Sequence, residues 1–107
     1  MTFDEYQYTA IKYVNPALDL NQQMIDGAMG LCGEAGETIE LIKKHIGQGH
    51  GLSLAALAEE IGDAMWYMAE LASSQGIRLE DIAAKNLRKI QQRYPEGFDA
   101  SRSISRG

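Results

Sequence analysis

Apolar residues recur along most of this chain at helical spacing, and no stretch alternates as a strand would. Phe3, Tyr6, Ala10, Tyr13 and Val14 share one face of a helix expected over residues 2–14. Thr2 and Glu5 have the spacing of a capping box, and Asn15-Pro16 ends the run because the residue before proline avoids helical dihedrals. A second stripe, Met24, Ile25, Ala28, Leu31, Cys32, Ala35, Ile39, Ile42 and Ile46, predicts a helix over residues 21–46. The third, Leu54, Leu57, Ala58, Ile61, Ala64, Met65, Met68, Leu71 and Ala72, predicts one over residues 53–74, with Ser53 as N-cap and Gly76 as the stop. Leu79, Ile82, Ala83, Leu87 and Ile90 line a fourth helix over residues 79–93, closed by Pro95. The expected fold is therefore all-α, a four-helix bundle in one domain over residues 1–107. Its Ser/Arg/Gly-rich tail, residues 96–107, offers only Phe98 and Ile104 as apolar anchors.

Gly27, Gly30, Gly33 and Gly36 interrupt the second helix at every third position, each costing about 1 kcal/mol against alanine. Their repetition predicts close approach of another backbone or of a ligand; the alternative is a kinked helix. Gly47-Gln48-Gly49-His50-Gly51 reads as the loop between helices two and three, and so short a loop favours an antiparallel hairpin.

That hairpin carries the candidate chemistry. Glu34 and Glu37 lie at i, i+3 on one helix, and Glu60 and Asp63 at i, i+3 on the other. Counted from the loop, both pairs stand at matching heights, roughly 15 Å above the turn. At about 100° per residue all four carboxylates, and Tyr67 with them, fall on the flank of their apolar stripes, whereas Glu59 falls nearer the solvent side. Carboxylates gathered in this way repel one another unless a cation sits among them, and oxygen ligands suit a hard divalent ion such as Mg²⁺ or Mn²⁺. The bland alternative is a solvated acidic face.

Composition narrows the field. The 107 residues suffice for one modest core, and the net charge of −5 disfavours a nucleic acid polymer as partner. A small phosphorylated ligand remains compatible, since a bound metal reverses the local sign. No apolar run reaches membrane-spanning length, and Met1-Thr2-Phe3-Asp4-Glu5 lacks a signal pattern, so a cytoplasmic location without a membrane role is expected. The single cysteine, Cys32, excludes an intramolecular disulfide.

Gly30-Leu31-Cys32-Gly33-Glu34-Ala35-Gly36-Glu37, followed by Glu59-Glu60-Ile61-Gly62-Asp63, resembles the MazG-like all-α nucleoside triphosphate pyrophosphohydrolases. The likeness extends through Lys43-Lys44-His45, Trp66-Tyr67, Asn86-Leu87-Arg88-Lys89 and Arg93-Tyr94-Pro95 to Phe98. It implies Mg²⁺-dependent cleavage of a nucleoside triphosphate, NTP or dNTP, to the monophosphate and pyrophosphate. It also implies metal coordination and catalysis at Glu34, Glu37, Glu60 and Asp63. By the same resemblance Lys89 and Arg93 face the phosphates, and Asn86 makes a polar contact to substrate. Homodimers or homotetramers are implied as well, so that the bundle is completed by association. One departure is Gly33, where relatives carry an acidic residue directly before the first motif glutamate.

Two other readings compete. A ferritin-like carboxylate site needs Glu-x-x-His pairs, which this chain lacks. A non-catalytic helical module with an acidic docking face also fits the composition. Among the remaining residues, Tyr67 is a candidate to touch substrate, and Trp66 is expected to pack. His45 and His50 read as surface residues, Lys43 and Lys44 suit the end of a helix, and Cys32 and the methionines of helix three belong to the expected core.

Overall fold

The computed structural model describes residues 1–106 and contains helices only. Helix α1 spans Phe3–Ala10, α2 Leu20–Gln48, α3 Leu54–Ser74, α4 Leu79–Arg93 and α5 Ala100–Arg106.

The Thr2–Glu5 capping box forms at the start of α1, with the Thr2 hydroxyl accepting from the Glu5 N–H at 3.1 Å. The expected helix over residues 2–14 is helical to Tyr13, but its last part, Ile11–Tyr13, tightens into a 3₁₀ turn. The cause is tertiary. The Ala10 carbonyl accepts from Trp66 Nε1 at 3.0 Å, and the Val14 N–H turns to Ile11 O instead. Trp66 is thus the packing residue that was expected.

Helix α2 starts at a second capping box, Asp19 with Gln22, that the apolar stripe did not reveal. It also runs two residues beyond the expected end, through Gly47. The glycine that stops it is Gly49, whose φ of 74° is the left-handed conformation that other residues avoid. The loop is pinned from within, because His45 Nδ1 donates to the His50 carbonyl at 2.7 Å. Ser53 caps α3 as expected, accepting from the Ala56 N–H at 3.1 Å.

Helices α2 and α3 form the antiparallel hairpin that dominates the fold. Two of the four glycines explain its closeness. A Cβ on Gly27 would press into the backbone of Leu71, and one on Gly30 would occupy the Tyr67 ring. Gly33 and Gly36 face open space.

Helix α1 packs across α3, and α4 packs on α1. Buried Gln7 makes that joint: its Nε2 donates to Ser73 Oγ and to Ile77 O, both at 2.9 Å, and its Oε1 accepts from the Leu79 N–H at 2.7 Å. It thereby caps α4, whose own N-cap, Arg78, offers no side-chain acceptor. Arg78 instead pairs with Asp4 through two hydrogen bonds, Nε to Oδ1 at 3.1 Å and Nη2 to Oδ2.

The core within one chain is small. Ala69 and Ala72 are its buried apolar residues, while Ile39, Ile46, Met65, Met68, Leu87 and Ile90 stay exposed. Cys32, expected inside, is exposed too. Among the described residues much of the α2 and α3 stripes stays uncovered, because α4 packs chiefly on α1 rather than on the hairpin. The Cα radius of gyration, 16.9 Å, exceeds the ~13 Å of a compact domain of this length. In the tail, where only loose anchors were expected, Asp99 accepts from the Ser101 N–H at 2.9 Å at the head of α5, and Phe98 tilts against Tyr94 at 5.3 Å. Gly107, the last residue of that tail, lies outside the described residues.

Candidate metal centre

The hairpin brings Glu34 of α2 together with Glu60 and Asp63 of α3. One carboxylate oxygen from each lies within 4.8 Å of the others. Three causes converge. The short loop fixes the register, the i, i+3 spacing turns Glu60 and Asp63 to one side, and the glycines let the helices approach.

Electrostatics set the character of the cluster. Glu34 Oε2 is buried and has no hydrogen-bond donor. The Glu34 side chain also meets the Glu60 carboxylate, and two carboxylates hydrogen-bond only by sharing a proton. That contact, with loss of solvent and the charges of Glu60, Asp63 and Glu37, pushes the Glu34 carboxyl up to about 7. No salt bridge reaches the cluster among the described residues. The donor set is all oxygen, it is anionic, and it holds one acceptor with no donor, which is the chemistry that accommodates a hard divalent cation.

The other expected site residues are placed as follows. Glu37 is exposed and stands outside the close trio, yet near enough for its charge to act on Glu34. Tyr67 lies one turn from Asp63 with its ring against Gly30; burial, then the charges of Asp26, Glu34, Glu70 and Asp63, push its phenol up. Asn86 and Lys89 border a shallow groove with Ile82 and Lys85 on α4, and Arg93 ends that helix. Since α4 leans on α1, these three are not assembled with the acidic trio within one chain.

Sequence reasoning missed two further polar groups. Tyr6 of α1 comes close to Asp63, and burial followed by that charge pushes its phenol up. Glu70 of α3 is only 3% exposed. Burial comes first, then the Asp26 carboxylate, in pushing Glu70 up to about 7. Its signal lay in the sequence: Glu70 follows Asp63 by two helical turns and falls on the same face.

Comparison with known proteins adds to this geometry. The MazG nucleotide pyrophosphohydrolase domain family matches residues 23–98. The Gene 37 protein of Mycobacterium phage L5 is 38% identical over 73 residues, covering 64% of this chain and 64% of that protein. The match thus spans somewhat less than two thirds of that relative's length. No solved structure matches the chain.

Proposed function

The chain belongs to the MazG nucleotide pyrophosphohydrolase domain family, and from that premise we propose that it hydrolyses a nucleoside triphosphate to the monophosphate and pyrophosphate with a divalent cation, Mg²⁺ or Mn²⁺. The observation that carries this reading is the convergence of Glu34, Glu60 and Asp63 around a carboxylate oxygen that has no donor.

Glu34, Glu60 and Asp63 would hold the cation. When bound, it neutralises phosphate charge and makes phosphorus more open to attack by water. The chain's own residues do the rest. Glu37, exposed and outside the trio, is the carboxylate we assign to accept the proton of the attacking water. Tyr67, whose ring lies on Gly30 next to the trio, is assigned a contact with the substrate. By resemblance Lys89 and Arg93 are assigned to the phosphates and Asn86 to a polar contact with the substrate. For them to act, α4 of a second copy must lie over the hairpin, and the uncovered apolar faces of α2, α3 and α4 support such a dimer or tetramer.

The test is incubation of pure protein with a panel of NTPs and dNTPs and Mg²⁺, followed by ³¹P NMR. Monophosphate and pyrophosphate are the expected products, and ¹⁸O from labelled water is expected in the monophosphate. Failure of every triphosphate to release pyrophosphate at high protein concentration overturns the reading. A non-catalytic acidic module differs in its metal linkage: matched monovalent salt would then reproduce any stabilisation by Mg²⁺.

A further inference from the structure

Glu70 is a buried carboxyl that the acidic trio does not use. It is 3% exposed, and its Oε2 has no hydrogen-bond donor. A carboxyl in that state is costly, whether as an unpaired charge or as an acid with an unsatisfied oxygen. A cationic donor would relieve it. Burial, and then the Asp26 carboxylate, push the group up, which is the direction expected where such a donor is wanting.

Space for a donor is present. Glu70 and Ser73 of α3, Gln23 of α2, and Lys12 and Asn15 of the segment between α1 and α2 line a cavity of about 310 Å³. That size is at the lower end of small-molecule sites. The cavity shares no residue with the acidic trio. The α2–α3 contacts at Gly27–Leu71 and Gly30–Tyr67 close the hairpin between the two.

Hydrogen bonds within the chain fix what each wall can offer. Gln23 Nε2 donates to the Leu18 carbonyl at 3.0 Å, which leaves its Oε1 as an acceptor. Ser73 Oγ accepts from Gln7 Nε2 at 2.9 Å, so its position is set by a buried partner. Asn15 Oδ1 accepts from the Ala17 N–H at 3.0 Å, which leaves its Nδ2 as a donor. Lys12 Nζ lies over the Tyr8 ring, 4.5 Å from its centre, and pairs with no carboxylate among the described residues. The wall from α2 and α3 is therefore rich in acceptors, with a carboxyl at its buried end. The wall from the connecting segment carries donors and a cation. Ile11 and Val14 lie along the same cavity and suit a short run of methylenes.

We propose that this cavity is a second ligand site, which takes a small zwitterion with its ammonium group on Glu70 and its carboxylate toward Lys12 and Asn15. The assignment follows from the division of donors and acceptors. An ammonium supplies the N–H that Glu70 lacks, and Gln23 Oε1 can accept a second proton of the same group. A carboxylate at the other end accepts from Lys12 and from Asn15 Nδ2. A plain amine leaves its uncharged end against Lys12, and a plain carboxylic acid leaves Glu70 without a donor. The site does not depend on the pyrophosphohydrolase reading, and no step of that reaction passes through it.

The test is a titration of ¹⁵N-labelled full-length protein, followed by amide NMR, with Mg²⁺ present. The probes are β-alanine, 4-aminobutyrate and 6-aminohexanoate, which differ in the spacing of their two charges. Butylamine and butyrate, each lacking one charge, are the controls. At least one zwitterion should give saturable shifts at Lys12, Asn15, Gln23 and Ser73. It should bind at least about tenfold tighter than either control, as expected for one added charge-assisted hydrogen bond. Glu70→Gln should weaken the zwitterion by a similar factor and leave butyrate unchanged. Lys12→Ala, a change at an exposed residue, should bring the zwitterion down to the level of butylamine. If Glu70→Gln does not melt cooperatively, Lys12→Ala decides by that readout. No saturable shift with any zwitterion at millimolar concentration overturns the proposal. So does equal binding of butylamine, or an affinity that neither substitution changes. Shifts centred on Glu34 and Asp63 would place the amine in the trio and overturn it as well.

Discussion

The Tyr67 ring lies where a Cβ on Gly30 would stand, so the two residues lock α2 against α3 at the level just above the acidic trio. Alanine at this position gains helix propensity, worth about 1 kcal/mol. It must also displace an aromatic ring, and overpacking of that kind costs about 1–3 kcal/mol. Gly30→Ala is expected to lower the melting temperature by several degrees and to weaken metal binding, because the helices are pushed apart where Glu34 meets Asp63. Gly36→Ala is the control. Its Cβ would meet nothing, so the propensity gain should appear as a small rise in melting temperature. Equal effects from both substitutions would mean that the glycine contact does not set the helix spacing.

Glu34 and Glu60 are held together against their own repulsion, which makes the trio a site of stored unfavourable charge. Glu34→Gln relieves that repulsion and supplies the missing donor to the pair. In metal-free buffer above pH 7 the variant should melt higher than the wild type. Its Mn²⁺ affinity, read by calorimetry, should fall by at least about tenfold, and pyrophosphate release with it. The opposite signs are the signature of a ligand site, since a structural acidic face has no reason to exchange stability for metal binding. Loss of melting temperature together with unchanged metal affinity would show that Glu34 serves the fold alone.

The helices and the trio were legible in the sequence for one physical reason: both follow from the period of the α-helix. The stripe that predicts residues 53–74 also turns Glu60 and Asp63 toward Glu34, and the short loop fixes the register. What was not legible depends on partners distant in sequence. The 3₁₀ turn at Ile11–Tyr13 arises because Trp66 takes the Ala10 carbonyl, and Gln7 gives no local sign that it caps α4. The capping box at Asp19 and Gln22 was visible in principle, but the pattern of apolar positions passes over it. Cys32, Met65 and Met68 have the periodicity of core residues and yet lie exposed, because a stripe marks an apolar face without recording what, if anything, packs on it. Placement of Asn86, Lys89 and Arg93 is of the same kind, for it depends on where α4 goes.

Glu70 gives the metal-free protein a defined pH dependence. Burial and the Asp26 carboxylate raise its folded value to about 7, above the ordinary 4.5 of an unfolded glutamate. Below the ordinary value the carboxyl is protonated in both states. Between the two values only the folded state keeps its proton, so stability falls as pH rises from about 4.5 to about 7 and then levels. Glu34 adds a component of the same sign. Denaturant unfolding from pH 4.5 to 8 should therefore show a decline that Glu70→Gln makes shallower and that the double substitution with Glu34→Gln largely removes. A decline unchanged in Glu70→Gln would show that the side chain does not hold a proton in the fold.

Gln7, itself buried, joins three elements through three part-buried hydrogen bonds. Gln7→Leu keeps much of the volume and leaves Ile77 O and the Leu79 N–H without that partner. A buried group stripped of its partner costs about 1–3 kcal/mol, so a loss of ~3 kcal/mol is expected. Amide hydrogen exchange should quicken at Leu79 and through the first turn of α4, while the α2–α3 hairpin keeps its protection. Uniform loss of protection across the chain would mean that α4 and the hairpin unfold as one unit.

Helix α4 tests the proposed assembly most directly, because its exposed apolar residues and its basic residues share one element. Ile82, Leu87 and Ile90 are all exposed in the single chain, and Asn86, Lys89 and Arg93 sit among them. A second copy that covers the apolar face carries the cations to wherever that face docks. Sedimentation velocity of the wild type should accordingly give a species larger than the 11.8 kDa chain. Leu87→Glu places a charge in the contact and should shift the population to monomer. Its pyrophosphate release should fall at least about tenfold, while Mn²⁺ binding to the trio, built within one hairpin, persists. Lys89→Ala should leave the assembly intact and raise KM for triphosphate, since on the proposed reading it removes a phosphate contact alone. A wild-type monomer at micromolar concentration with full activity would show that α4 reaches the hairpin of its own chain. The cations of Lys89 and Arg93 would then act on their own trio.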